Sequence, residues 1–121
     1  MSDAISNLMD SNLLSVFNEP DDHRRAEAIA RTYTDNVSWS DDEGVVVGRA
    51  ALAAKAQELV SRFAGLEFSK IGEARTNINF GFLAWRLGPP GGDPVATGFD
   101  AAVIENGRIA QLFTVVDPPS P

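Results

Sequence analysis

Two aspartates stand where a carboxylate is costly to place. Asp100 sits in the middle of the apolar run from Val95 to Ile104, and Asp41 ends an alternating run whose Val37 and Trp39 point to its own side. A carboxyl group buried without a partner holds its proton to higher pH, which suits proton transfer or hydrogen-bond donation near neutrality. A second carboxylate within hydrogen-bond reach of a carbon acid is a general base. Both aspartates are therefore candidates for acid-base work. The structural alternatives are a salt bridge from Asp100 to Arg86, Arg75 or Arg49, and for Asp41 the plain strand-end acid that Asp42 and Glu43 beside it are.

Flat apolar residues surround these positions. Trp39 and Trp85 serve a core or the wall of a pocket, and a buried indole N–H needs a hydrogen-bond partner. Arg86 alternates to the side opposite Trp85, and Trp85 is the one expected to face the cavity. The expected wall is Trp39, Phe82, Trp85, Leu112 and Val116, with Thr114 on the same face. Phe82 and Trp85 fall on opposite faces of a regular strand, so without a bulge only one of them turns inward. Asn77 and Asn79 share a strand face and could orient a ligand carbonyl, or serve edge-strand hydrogen bonding. Tyr33 is expected in the core.

Other chemistries lack their residues. The chain has no cysteine, and its single histidine, His23, lies beside Arg24 and Arg25 near a helix start, where exposure is expected. One histidine and no thiol make no zinc site. Gly88 to Gly92 contains two prolines and no following lysine, so it is not a phosphate cradle. No cofactor and no metal are expected. Ten basic against seventeen acidic residues leave a charge of -7, which opposes nucleic-acid binding. The opening MSDAISNLMD carries acids where a signal peptide needs positive charge, no run reaches membrane-spanning length, and a cytoplasmic location is the expectation.

The elements that must position the aspartates follow from periodicity. Across 121 residues one domain is expected, residues 1–117, followed by a tail at 118–121. Ile5, Leu8, Met9, Leu13, Val16 and Phe17 have helical spacing, with Ser2 or Asp3 available as cap. Pro20 fits the first position of a second helix, whose buried stripe is expected to be Ala26, Ile29, Ala30 and Tyr33. Val37 to Asp41 alternates as a strand and Val45 to Val47 is a short extended piece. Gly48 opens a third helix, with Leu52, Ala56, Leu59, Val60 and Phe63 along one stripe and Gly65 at its end. Strands are expected at Leu66 to Ile71 and roughly Thr76 to Leu87, then the hairpin PVATGFDAAVIENGRIAQLFTVVD from Pro94 to Asp117.

The Asn106-Gly107 turn allows two registers. A two-residue turn sets Phe113 opposite Asp100; a three-residue loop pairs Ile104 with Arg108 and sets Leu112 opposite Asp100. The second is preferred. It leaves one face of Gly98, Asp100, Ala102, Leu112, Thr114 and Val116, and another of Val95, Phe99, Val103, Ile109, Phe113 and Val115. Both are apolar enough to need cover, one from helices and the other from a second copy of the chain. The whole is α+β, with three N-terminal helices packed on a curved, mostly antiparallel sheet. Such a cone has an interior suited to a small molecule.

The stretches FNEPDDHRRAEAIARTYTDNVSWSDDEGVVVGRAAL, AWRLGPPGGDPVATGFD and ENGRIAQLF resemble the SnoaL-like and ketosteroid-isomerase-like branches of the nuclear-transport-factor-two-like superfamily, over nearly the whole chain. The resemblance implies the cone fold and a pocket, within a superfamily of isomerases, cyclases, dehydratases, epoxide hydrolases and binding domains. It matches Asp41 to the general-base aspartate of ketosteroid isomerases. It matches Asp100 to the aspartic acid they keep protonated, the behaviour for which that enzyme is a standard example. Their helical tyrosine corresponds to Leu13 here. Thr114 stands where limonene-epoxide hydrolases and SnoaL-type cyclases carry an aspartate, so neither of those mechanisms is implied. The expected function is a pocket for an apolar carbonyl compound, with isomerase or cyclase chemistry by cofactor-free proton transfer. The alternative is a non-catalytic ligand-binding or dimeric interaction domain.

Overall fold

The computed structural model describes residues 2–118, with side chains from Ala4 onward. The capping expected of Ser2 or Asp3 and the tail residues 119–121 lie outside what is described. Helix α1 (Ser2–Asp10) runs directly into a π-helical segment, Ser11–Phe17. Its wider turn keeps Asn12, Leu13, Val16 and Phe17 all buried. A polar residue, Asn12, thereby enters the apolar stripe.

Helix α2 (Asp22–Thr32) is capped by Asp21, whose carboxylate accepts from the Arg24 amide at 2.8 Å. Pro20 therefore precedes the helix and is not its first residue. The buried stripe is Arg25, Ala28, Ile29 and Thr32, rotated from the expected one, and Ala26 and Ala30 face solvent. Arg25 can be buried because it donates to the Glu19 carbonyl and pairs with Asp22. Tyr33 is buried as expected, but it begins strand β1 (Tyr33–Asp41) and is not part of the helix.

Strand β2 (Gly44–Val47) turns back on β1, and helix α3 (Arg49–Arg62) follows, with Leu52 and Ala56 fully buried. Strands β3 (Glu67–Thr76), β4 (Phe80–Gly88), β5 (Ala96–Glu105) and β6 (Arg108–Val116) complete the chain. Asn77 and Asn79 belong to the β3–β4 turn and are exposed, so they do not share a strand face over a ligand. The strand break falls there because the Asn77 amide closes on the Phe80 carbonyl at 3.0 Å.

The six strands form one open, curved sheet in the order β2-β1-β6-β5-β4-β3. All neighbours are antiparallel except β1 and β6, which pair in parallel. The helices cover one face, where Trp39, Leu83, Trp85, Leu87, Ala102 and Leu112 meet Met9, Leu13, Val16, Ala28, Ile29 and Leu52 in one core. Among the described residues no helix is long and apolar enough to cross a membrane.

The hairpin register differs from both expected ones. Asn106 and Gly107 have φ of 53° and 76°, and the turn holds two residues, with Glu105 paired to Arg108. A bulge then intervenes: Ile104 pairs with Ile109 but Val103 pairs with Gln111, leaving Ala110 as the extra residue. From there on β6 is advanced by one, and Thr114, not Leu112 or Phe113, stands opposite Asp100. The two-residue turn, by pairing Ile109 with Ile104, puts Ile109 in the core, where it is fully buried, instead of on the outer face.

Candidate active site

Four neighbouring strands each contribute one side chain to a row across the inner face. Trp39 on β1 donates its indole N–H to Thr114 Oγ1 on β6 at 3.0 Å, and Thr114 Oγ1 donates to Asp100 Oδ1 on β5 at 2.9 Å. From the other side Trp85 on β4 donates its indole N–H to the same oxygen at 3.1 Å. The diagonal neighbours of a pleated sheet make these reaches possible, because Trp85 pairs with Gly98 and Trp39 with Leu112, each two residues from its hydrogen-bond partner.

The row is closed from above by the π-helical segment. Asn12 Nδ2 donates to Asp100 Oδ2 at 2.8 Å, and the Tyr33 hydroxyl donates to Asn12 Oδ1. The tyrosine thereby fixes which end of the Asn12 amide faces the carboxylate. Asn12 is fully buried. The signal that could have found it is its place three residues after Met9 and four before Val16, inside an otherwise apolar stripe.

Asp100 is 2 % exposed and, among the described residues, has no cation beside it. None of the arginines proposed as its partner pairs with it: Arg49 pairs with Asp35 and the Tyr33 carbonyl, and Arg86 donates to the Gly92 carbonyl. Burial pushes its pKa up to about 6, against the three hydrogen bonds from Thr114, Trp85 and Asn12, which favour the charged form. The Tyr33 hydroxyl is held well above its ordinary value, by burial first and by the Asp100 charge second.

Asp100, Thr114, Trp39 and Trp85 line a cavity of about 370 Å³, together with Leu13, Phe17, Phe68 and Leu87. Its entrance carries Asp41, Asp42, Glu43 and Arg62, with Val95 and Val116 at the rim. Of the expected site residues, Asp41, Trp39, Trp85, Asp100, Thr114 and Val116 share this cavity. Leu112 packs in the core at 1 % exposure and does not line it. Phe82 points to the opposite face of the sheet, where it stacks on Phe99 with ring centres 5.0 Å apart. β4 is regular opposite β5, so once Trp85 faces inward Phe82 cannot.

Asp41 is occupied. Its Oδ2 pairs with Lys55 Nζ at 2.7 Å, its Oδ1 accepts the Glu43 amide at 2.8 Å, and the Lys55 ammonium also lies 4.6 Å from the centre of the Trp39 ring. Among the described residues no three histidine or carboxylate side chains converge as a metal ion requires.

The α+β cone thus holds a carboxyl group on the wall of an interior cavity, and comparison with known proteins gives its family. The profile of the SnoaL-like domain matches residues 13–112, and the chain belongs to that family. A SnoaL-like family protein of Agrobacterium tumefaciens, provisionally assigned as an isomerase, is 27 % identical with a TM-score of 0.87. The match covers 98 % of this chain and 100 % of that one. A SnoaL-like protein of unknown function from Burkholderia thailandensis superimposes with a TM-score of 0.75 at 12 % identity, over 98 % of this chain and 99 % of that one. A protein of Kribbella flavida, provisionally assigned as a ketosteroid isomerase, gives 0.73 at 15 % identity, over 98 % and 84 %. The last two share the fold. No curated protein sequence matches the chain.

Proposed function

We propose that the cavity binds a small, largely apolar carbonyl compound and moves a proton on it without a cofactor, as an isomerase or cyclase does. The observation that carries this reading is Asp100: a carboxyl group buried on a cavity wall, held by three donors and, among the described residues, by no cation. A salt-bridged structural acid would have its charge matched. This one instead has its pKa raised by burial toward neutrality, as acid-base work requires.

In this reading the protonated Asp100 and the Thr114 hydroxyl act as one donor. Thr114 Oγ1 accepts from Trp39 and gives its own hydrogen to the ionised Asp100. When Asp100 takes up a proton at Oδ1, it donates to Thr114 in turn, and the threonine hydrogen is released toward the cavity. A ligand carbonyl oxygen there receives the hydrogen bond as its enolate forms, while Asp41 takes the proton from carbon. That role for Asp41 requires Lys55 to turn away, and Lys55 is also the observation favouring the second reading. With both Asp41 oxygens engaged, the cavity is a ligand-binding site without chemistry.

Deuterium exchange next to the carbonyl of a panel of cyclic ketones and enones separates the two. Acceleration by the protein, reduced on the order of a hundredfold or more in Asp100→Asn, is the enzyme result. Saturable binding with no acceleration for any member of the panel establishes the binding domain and removes the isomerase reading.

A further inference from the structure

A second cavity, of about 260 Å³, lies behind the first under the end of α3. The two share a wall made of Phe17, Phe63, Phe68 and Leu87. Its one polar side chain able to hydrogen-bond is Asn18, and both amide atoms of Asn18 are taken by the backbone of Phe68, donating to its carbonyl at 2.8 Å and accepting from its N–H at 2.7 Å. The other side chains that line it, Val60, Ala64, Leu66 and the shared wall, are apolar.

The members of that wall are not equally fixed. Phe68 lies in β3, clamped through its backbone by Asn18, and its ring meets Phe17, Phe63 and Trp85 at 6.3, 6.5 and 5.3 Å between centres. Phe17 is buried against Trp39 at 5.0 Å, and Leu87 is a core residue of β4. Phe63 is different. It is the C-terminal cap of α3, with non-helical backbone angles, half-buried, and among the described residues Phe68 is the one aromatic ring it meets. Past it the chain turns through Gly65 at a φ of 86°.

We propose that the second cavity is a tail subsite of the first and that Phe63 is the gate between them. The ligand is then a carbonyl compound with a linear alkyl tail, its head at Asp100 and its tail passing Phe63 between Val60 and Leu66. This inference rests on the carbonyl reading for the head of the ligand and on the shared wall alone for the tail.

The test is calorimetric titration with two homologous series, methyl ketones and primary alcohols, each with chains from pentyl to dodecyl. Each methylene that enters an apolar site raises affinity by about fourfold. In the wild-type protein the rise continues to the longer chains. In Ala64→Trp, which fills the second cavity from its exposed side, the rise stops at a shorter chain, so the difference from wild type grows with length. In Phe63→Ala the long chains bind at least as well as in the wild type. A plateau at the same length in wild type and Ala64→Trp overturns the proposal, as does absence of binding in both series. Should Phe63→Ala not fold, the comparison of wild type with Ala64→Trp still decides. If alcohols and ketones bind equally but show the length dependence, the tail subsite stands and the carbonyl reading falls.

Discussion

Asp100 couples the cavity to pH. Its folded-state pKa of about 6 lies above that of an aspartate in an unfolded chain, so the folded protein binds this proton more tightly than the unfolded one. The stability this proton contributes is complete below the unfolded value of about 3.9 and is lost as pH rises through about 6. Two pH units correspond to on the order of 3 kcal/mol. Urea unfolding across that window is expected to show the decline in the wild type and a flatter profile in Asp100→Asn. The same slope in both proteins would assign the decline to another group. Asn12 is the donor easiest to remove cleanly. Asn12→Leu takes away a hydrogen bond that favours the carboxylate, so the Asp100 carboxyl carbon should titrate above its wild-type midpoint by NMR. An unmoved midpoint means that Asn12 fills space and does not tune the acid.

At the scale of elements, two backbone devices bring the site together. The bulge at Ala110 puts a hydroxyl opposite Asp100, where the turn alone would have put the Phe113 ring. Gly98 lets the Trp85 ring lie across β5: a Cβ there would fall 2.2 Å from the Val115 carbonyl oxygen and 2.7 Å from Cζ2 of Trp85. Gly98→Ala should therefore cost about 2 kcal/mol or more by chemical denaturation and weaken the Trp85–Asp100 bond. A variant as stable as the wild type, with an unchanged Asp100 titration, would show that the strand moves aside freely. These devices mark the boundary of what the sequence discloses. Asp100, both tryptophans and the inner face of the hairpin are legible from alternation, because a strand's two faces follow from parity alone. The bulge is not, because parallel pairing with β1 helps set the register, and that contact is distant in sequence. Asn12 and the α2 stripe are hidden for one reason: a stripe traced through apolar residues passes over buried polar ones, and Asn12, Arg25 and Thr32 are all buried in theirs.

The whole molecule leaves its second sheet face open. Ile71, Phe82, Phe99, Phe113 and Val115 lie side by side on it across β3 to β6, with Ile71, Phe113 and Val115 at 48 %, 40 % and 42 % exposure. A second copy covering this face is the expected assembly, and sedimentation should find a dimer at micromolar concentration that Phe113→Lys dissociates. A monomeric wild-type protein would remove it. The row of four strands has an optical consequence as well. The chain contains two tryptophans, and both indole N–H groups belong to the hydrogen-bonded row around Asp100. No indole elsewhere dilutes their emission, so the intrinsic fluorescence of the unlabelled protein should change as the Asp100 carboxyl group titrates, a change expected to vanish in Asp100→Asn.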